Sequence, residues 1–151
     1  MRKWAILSGV LVLLGVIQLV SASRPFDNPP VIREPRWDSA DTRDLARAAC
    51  FDCHSNETRW PAYASIAPAS WLIRHDVASG RMKLNFSEWQ RGQKHADDAA
   101  DVVRKSEMPL WFYTPLHPAA RLSAPDRERL AAGLERTISA SPPGRPEAPA
   151  R

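Results

Sequence analysis

Two cysteines occur among the 151 residues, and they stand close together: Cys50 and Cys53, with His54 directly after the second. A gap of two residues lets one helical turn present both sulfurs to the same edge of a flat ligand. The pattern Cys50-Phe51-Asp52-Cys53-His54 is the attachment signature of a c-type haem. Each thiol adds to one haem vinyl group, and the adjacent histidine carries an imidazole nitrogen under the iron as an axial ligand. Three other readings compete. A redox dithiol wants a βαβ setting, and no convincing β alternation is present. A structural zinc site needs two further ligands, and the thiolates are already used up. A disulfide between Cys50 and Cys53 closes too small a loop to stabilise much, and it leaves His54 unexplained.

The amino terminus bears on the same question. Met1-Arg2-Lys3 precedes Trp4 to Val20, an apolar run without a charged residue in which Gln18 is the one strongly polar member. Basic residues ahead of an apolar run keep that end cytoplasmic and send the remainder of the chain across the membrane. Seventeen residues of helix span roughly 26 Å at 1.5 Å per residue, at the short end of what a ~30 Å hydrocarbon core requires. Residues 4–20 are therefore read as a membrane anchor. Val20-Ser21-Ala22 keeps the alternative open, because it resembles a signal-peptide cleavage site. Both readings put the rest of the chain on the periplasmic side of a bacterial inner membrane, the side on which c-type haems are attached.

Composition excludes several classes. Two cysteines exclude a multi-disulfide scaffold. From Arg24 onward the chain holds 19 Lys/Arg, the 21 of the whole chain less Arg2 and Lys3, against 17 Asp/Glu. A net +2 without like-charge blocks does not describe a nucleic-acid binder. Fourteen prolines against six glycines predict long irregular connections. The expected organisation is a signal or anchor over 1–23, one haem-binding domain over 24–140, and a Pro/Ala-rich tail without structure over 141–151.

The fold expected for the domain is all-α, with short helices and long loops. Arg24 to Trp37 reads as an extended lead-in. Asp38 or Ser39 caps a helix through Ala48. Ala69 to Ala78 is helical, with Gly80 placed to stop it. Ser87 opens a longer helix, with Gln90 in a capping box and Trp89, Ala96, Ala100 and Val103 on one stripe. Ser123 caps a last helix bearing Leu130, Leu134 and Ile138. Large aliphatic residues are few, so a core built from them alone is thin, and something else fills the centre.

Several stretches carry a resemblance: Cys50 to Thr58 (CFDCHSNET), Trp60-Pro61, Ile66 to Trp71 (IAPASW), Gly80-Arg81, Leu84 to Ser87 (LNFS) and Glu107-Met108-Pro109. With an apolar amino terminus ending near Arg24-Pro25, the chain resembles the bacterial haem-binding domain family of small, cytochrome c-like proteins. The resemblance covers roughly Arg24 to Ile138. It implies one covalently bound haem c in a mostly helical exported domain, and it leaves the physiological role open.

Five residues compete for the second axial position: Met82, Met108, His75, His95 and His117. Met108 is the expected ligand. It lies far from His54 in sequence, and Pro109 biases it away from helix. Leu110, Trp111, Phe112 and Tyr113 are placed to pack on the porphyrin. His75 stands second, and an open sixth position stays possible. Trp60, Trp71, Trp89 and Trp111 are expected as pocket walls or core. Arg59, Arg74 and Arg81 are candidates for the haem propionates. Asp52, between the cysteines, is assigned no role. The expected function is one-electron transfer through a His54/Met108 haem. Two alternatives remain: a ligand sensor or peroxidase-like enzyme with an open or displaceable sixth position, and a non-enzymatic accessory role with the haem as a structural core.

Overall fold

The computed structural model describes residues 2–23 and 26–144. Arg24-Pro25 and the tail from residue 145 lie outside the described residues. Among the described residues six α-helices occur in chain order: α1 (Arg2–Ala22), α2 (Ala40–Ala49), α3 (Phe51–His54), α4 (Ala69–Lys83), α5 (Ala99–Arg104) and α6 (Ala124–Ala140). Short 3-10 turns occupy Ala62–Ser65 and Pro118–Ala120. Among the described residues the only β pairing is an isolated bridge between Arg33 and Glu88. The protein is all-α.

Two helix starts form where the caps predict them. The Ser39 side chain accepts from the Thr42 backbone N–H at the head of α2. Ser123 does the same for Asp126 at the head of α6. Each satisfies a donor that the first helical turn leaves without a partner. Between them, α2 and α6 approach closely because residue 133 is glycine: a Cβ there would overlap the Thr42 side chain.

Aromatic rings supply the volume that aliphatics do not. Phe86 stacks between Phe51 and Trp89, with ring centroids at 5.7 and 5.9 Å, and Trp37 packs against Phe86 at 5.2 Å. Ala46, Leu130, Ala131 and Leu134 close the cluster from α2 and α6. Phe51 is thus a core residue inside the Cys-x-x-Cys turn. Cys50, partly buried, packs against the same cluster.

Two expected elements take another form. Gly80 does not end α4, which runs on to Lys83. The residue is glycine because α4 crosses α3 there: a Cβ would overlap the Cys53 carbonyl oxygen and stand 3.1 Å from Cys53 Cβ. The helix expected from Ser87 is absent until Ala99. Ser87 is occupied elsewhere. Its hydroxyl accepts the Asn56 N–H at 2.9 Å, and its carbonyl accepts Ile32 and Arg33 at 2.9 and 3.1 Å. Gln93 then bonds Asn85 and Glu88, which holds the segment in turns. Trp89, Ala96, Ala100 and Val103 are all buried, as the stripe requires, without one continuous helix carrying them.

The end of α6 is also fastened. Trp89 Nε1 donates to the Ser141 carbonyl at 2.6 Å, and the Gly144 N–H donates to the Trp89 carbonyl at 3.0 Å. Ser141 to Gly144 therefore stay attached to the domain. The rest of the expected tail lies outside the described residues.

Candidate haem site

Cys50 ends α2, and α3 begins at the next residue. Both cysteines and His54 line one cavity, and Cys50 and His54 line another together with Phe86 of the aromatic core. Three cavities of about 260, 210 and 210 Å³ share walls around them. Together they reach the several-hundred Å³ range of cofactor sites. The largest of these three is lined by Cys50, Cys53, His54 and Met108, so the four residues expected at the site meet in one place. His54 and Met108 also line a second of the three.

The chain prepares each group. Both cysteines are free thiols. Burial pushes the Cys50 thiol up to about 12, helped by Cys53. Burial does the same to Cys53, also to about 12, with Asp76 and Asp52 adding to it. Thiols held protonated in this way are poor metal thiolates and poor redox nucleophiles. Among the described residues no group of three or more His, Cys, Asp or Glu could hold a metal ion. His54 Nδ1 donates to the Leu84 carbonyl at 3.0 Å. That bond selects the tautomer with a bare Nε2 and fixes the ring, as the outer partner of a ligating histidine does. Burial holds the His54 pKa below its ordinary value, so the ring is neutral and able to bind iron. The Phe86 N–H bonds the His54 carbonyl at 2.8 Å, locking the same segment to α3 from the other side.

Met108 reaches the cavity through a turn at the end of α5. Ser106 takes φ +59°, in the left-handed region. Its N–H bonds the Val103 carbonyl, and the Glu107 N–H bonds Val102 at 2.9 Å. This is a Schellman cap, with serine where glycine is usual. Met108–Pro109 and Ala67–Pro68 are cis peptide bonds.

The other candidate ligands separate by position. His75 lines the largest cavity from α4, but it is an exposed side chain near Ser79. His95 lines another cavity and pairs with Asp98 at 3.2 Å. His117 stacks on Tyr113 at 3.8 Å between centroids and meets the Tyr63 hydroxyl. Met82 points to solvent and lines none of the three.

Some wall expectations need correction. Leu110, Phe112 and Tyr113 line the largest cavity, but none of Trp60, Trp71, Trp89 and Trp111 lines any of the three. Trp89 is core, Trp60 stacks on Phe26, and Trp71 and Trp111 are exposed. Arg81 is also engaged elsewhere. Its guanidinium donates to the carbonyls of Ser55 and Asp27 and to the side chains of Asn28 and Thr58. It staples the lead-in to the Cys-x-x-Cys-His segment. Lys83, which the sequence did not single out, is the basic residue that lines two of the cavities.

Asp52 has a structural role that its sequence position does not suggest. It is buried, accepts the Tyr113 hydroxyl at 2.6 Å and receives the Arg59 backbone and side chain at 3.0 and 3.3 Å. Nothing local predicts this, because Tyr113 lies sixty-one positions away.

The sequence profile of a haem-binding domain matches residues 10–136. The chain belongs to the haem-binding domain family. Neither a curated protein nor a solved structure matches it. Haem is the ligand of this domain, and the donors lining the cavity beside Cys50, Cys53 and His54 fit it. Two protonated sulfurs stand on one turn, an imidazole is fixed by its far nitrogen, and a thioether faces the same space. In such a site Cys50 and Cys53 could supply the covalent anchors, and His54 and Met108 the axial atoms.

Proposed function

We propose that this haem-binding domain protein is a one-electron carrier tethered at the periplasmic face of the inner membrane. Residues 1–23 form the anchor, 24–140 the domain and 141–151 the tail. Cys50 and Cys53 hold a single haem c through thioether bonds. His54 Nε2 and Met108 Sδ are the axial ligands. When bound, the haem supplies a one-electron iron couple. The chain's own part is to fill both axial positions and keep water and substrates off the metal. A methionine opposite histidine also raises the potential above that of a bis-histidine site. The observation that carries this reading is that His54, with Nδ1 spent on Leu84, and Met108 line the same two cavities.

A second reading has one observation in its favour: His75 and Asp76 line the cavity of Cys50, Cys53, His54 and Met108 as well. Polar groups beside an open or displaceable sixth position would suit a ligand sensor or a peroxidase-like enzyme. Absorption spectra of the purified protein separate the two. The carrier predicts a six-coordinate low-spin haem, a weak near-infrared band when oxidised, and no rapid uptake of carbon monoxide when reduced. Rapid, complete carbon monoxide binding would favour the open site instead. The Cys50→Ala and Cys53→Ala variants should lose haem staining on a denaturing gel.

A further inference from the structure

The last part of α1 is not free of the domain. The Gln18 side-chain amide donates to the Ser65 carbonyl at 2.8 Å and accepts the Ala67 N–H at 3.2 Å. Ser21, in the next turn, meets Ser70 side chain to side chain and is buried. The domain thus grips one face of the helix over its last one to two turns. From Gln18 to Ala22 the helix rises only about 6 Å. The apolar run needs almost its whole length to cross a ~30 Å core. Whatever the domain presents beside Gln18 therefore lies within the headgroup region, the depth at which peripheral apolar faces insert by ~5–10 Å.

What it presents there is apolar. Pro61 to Ile73 contains no charged residue, nor does Leu110 to Leu116, in a chain that is 25% charged. The two stretches meet: Leu72 and Ile73 line one cavity together with Phe112 and Leu116. On this face Ile66 is 55%, Trp71 46%, Leu72 52% and Leu116 65% exposed. Contiguous exposed apolar side chains mark a contact surface, and tryptophan favours the membrane interface.

We propose that the domain rests on the lipid bilayer through Ile66, Trp71, Leu72 and Leu116, rather than hanging from α1 as from a tether. The inference rests on the reading of residues 4–20 as a retained anchor. The occupant is the bilayer surface, because the clamp between Gln18 and residues 65–67 sets the patch at that depth.

The test uses the full chain in vesicles of phosphatidylethanolamine and phosphatidylglycerol containing a phospholipid with a photoactivatable diazirine on its acyl chain. After irradiation, adducts are mapped by mass spectrometry. The expected result is labelling of 61–73 and 110–116 as well as 4–20. In a variant carrying Ile66→Gln, Trp71→Gln and Leu72→Gln, labelling of 61–73 should fall to background while 4–20 labels as before. Adducts confined to 4–20 in the wild-type protein would overturn the docking and leave the anchor standing. No adduct even in 4–20 would overturn both.

Discussion

The Tyr113 hydroxyl donates to the buried Asp52 carboxylate at 2.6 Å, joining the loop that carries Met108 to the turn that carries both cysteines. Burial, reinforced by the Asp52 charge, pushes the Tyr113 pKa upward, so the phenol keeps its proton and remains a donor. The bond sets how far the loop stands from α3, and so how far a ligand on it stands from His54.

Breaking this bond should loosen one ligand and spare the other. Tyr113→Phe leaves the Asp52 carboxylate to Arg59, and Asp52→Ala leaves a half-buried phenol without its acceptor, at a cost of about 1 kcal/mol. Covalent haem content should stay near wild type in both variants. The near-infrared band of the oxidised protein should weaken, with the larger loss and the lower melting temperature in Asp52→Ala. A band of full strength in both variants would show that the loop needs no such fastening.

Gly80→Ala should disturb attachment more than its size implies. The added methyl has to displace the Cys53 carbonyl, which belongs to backbone and gives little. Overpacking of this kind costs about 1–3 kcal/mol. The expected outcome is a lower melting temperature and a lower haem-to-protein ratio in purified material. Gly92→Ala is the control, since a Cβ there meets nothing within 4 Å.

Ser106→Gly should stabilise. A left-handed φ costs a non-glycine residue about 1–2 kcal/mol, and glycine gives back roughly 0.5–1 kcal/mol through its freer unfolded chain. A net gain near 0.5–1 kcal/mol corresponds to a rise of about 2–4 °C in melting temperature. Thermal unfolding monitored by circular dichroism reads it directly. An unchanged or lower midpoint would mean that the serine makes a compensating contact.

Acid should unfold the protein partly through Glu34. Burial alone would raise this carboxyl, but hydrogen bonds from Arg43 and Trp37 outweigh it and hold the pKa below 4.5. Arg43 binds it with two nitrogens at 2.8 and 2.7 Å, and Trp37 Nε1 adds a third bond at 2.7 Å. The unfolded chain takes up the proton first, so this contribution is complete above about pH 4.5 and disappears as pH falls through the lower folded value. Asp38 and Glu88 are depressed in the same direction and add to the acid limb. Glu34→Gln should lose about 1 kcal/mol at neutral pH. Its unfolding free energy should also vary less with pH between about 3 and 5. Parallel curves for variant and wild type would exclude Glu34 from the acid response.

The features legible in the amino-acid order act within a turn or two of chain. The Cys50–Cys53–His54 spacing, the Ser39 and Ser123 caps and the unbroken apolar run of α1 each complete their effect among near neighbours, so no knowledge of the fold is needed to read them. The role of Gly80, the turns that replace a helix after Ser87, the four bonds of Arg81 and the Asp52–Tyr113 link were decided by tertiary structure. In each case the partner lies far along the chain: a close backbone approach at Gly80, and distant polar partners at the other three. Satisfying those polar groups outweighs local helix preference. Likewise, five residues were chemically able to face His54. Packing alone selected Met108 and His75 for the cavity that Cys50, Cys53 and His54 line, left Met82 in solvent, gave His95 to Asp98 and spent His117 on two tyrosines.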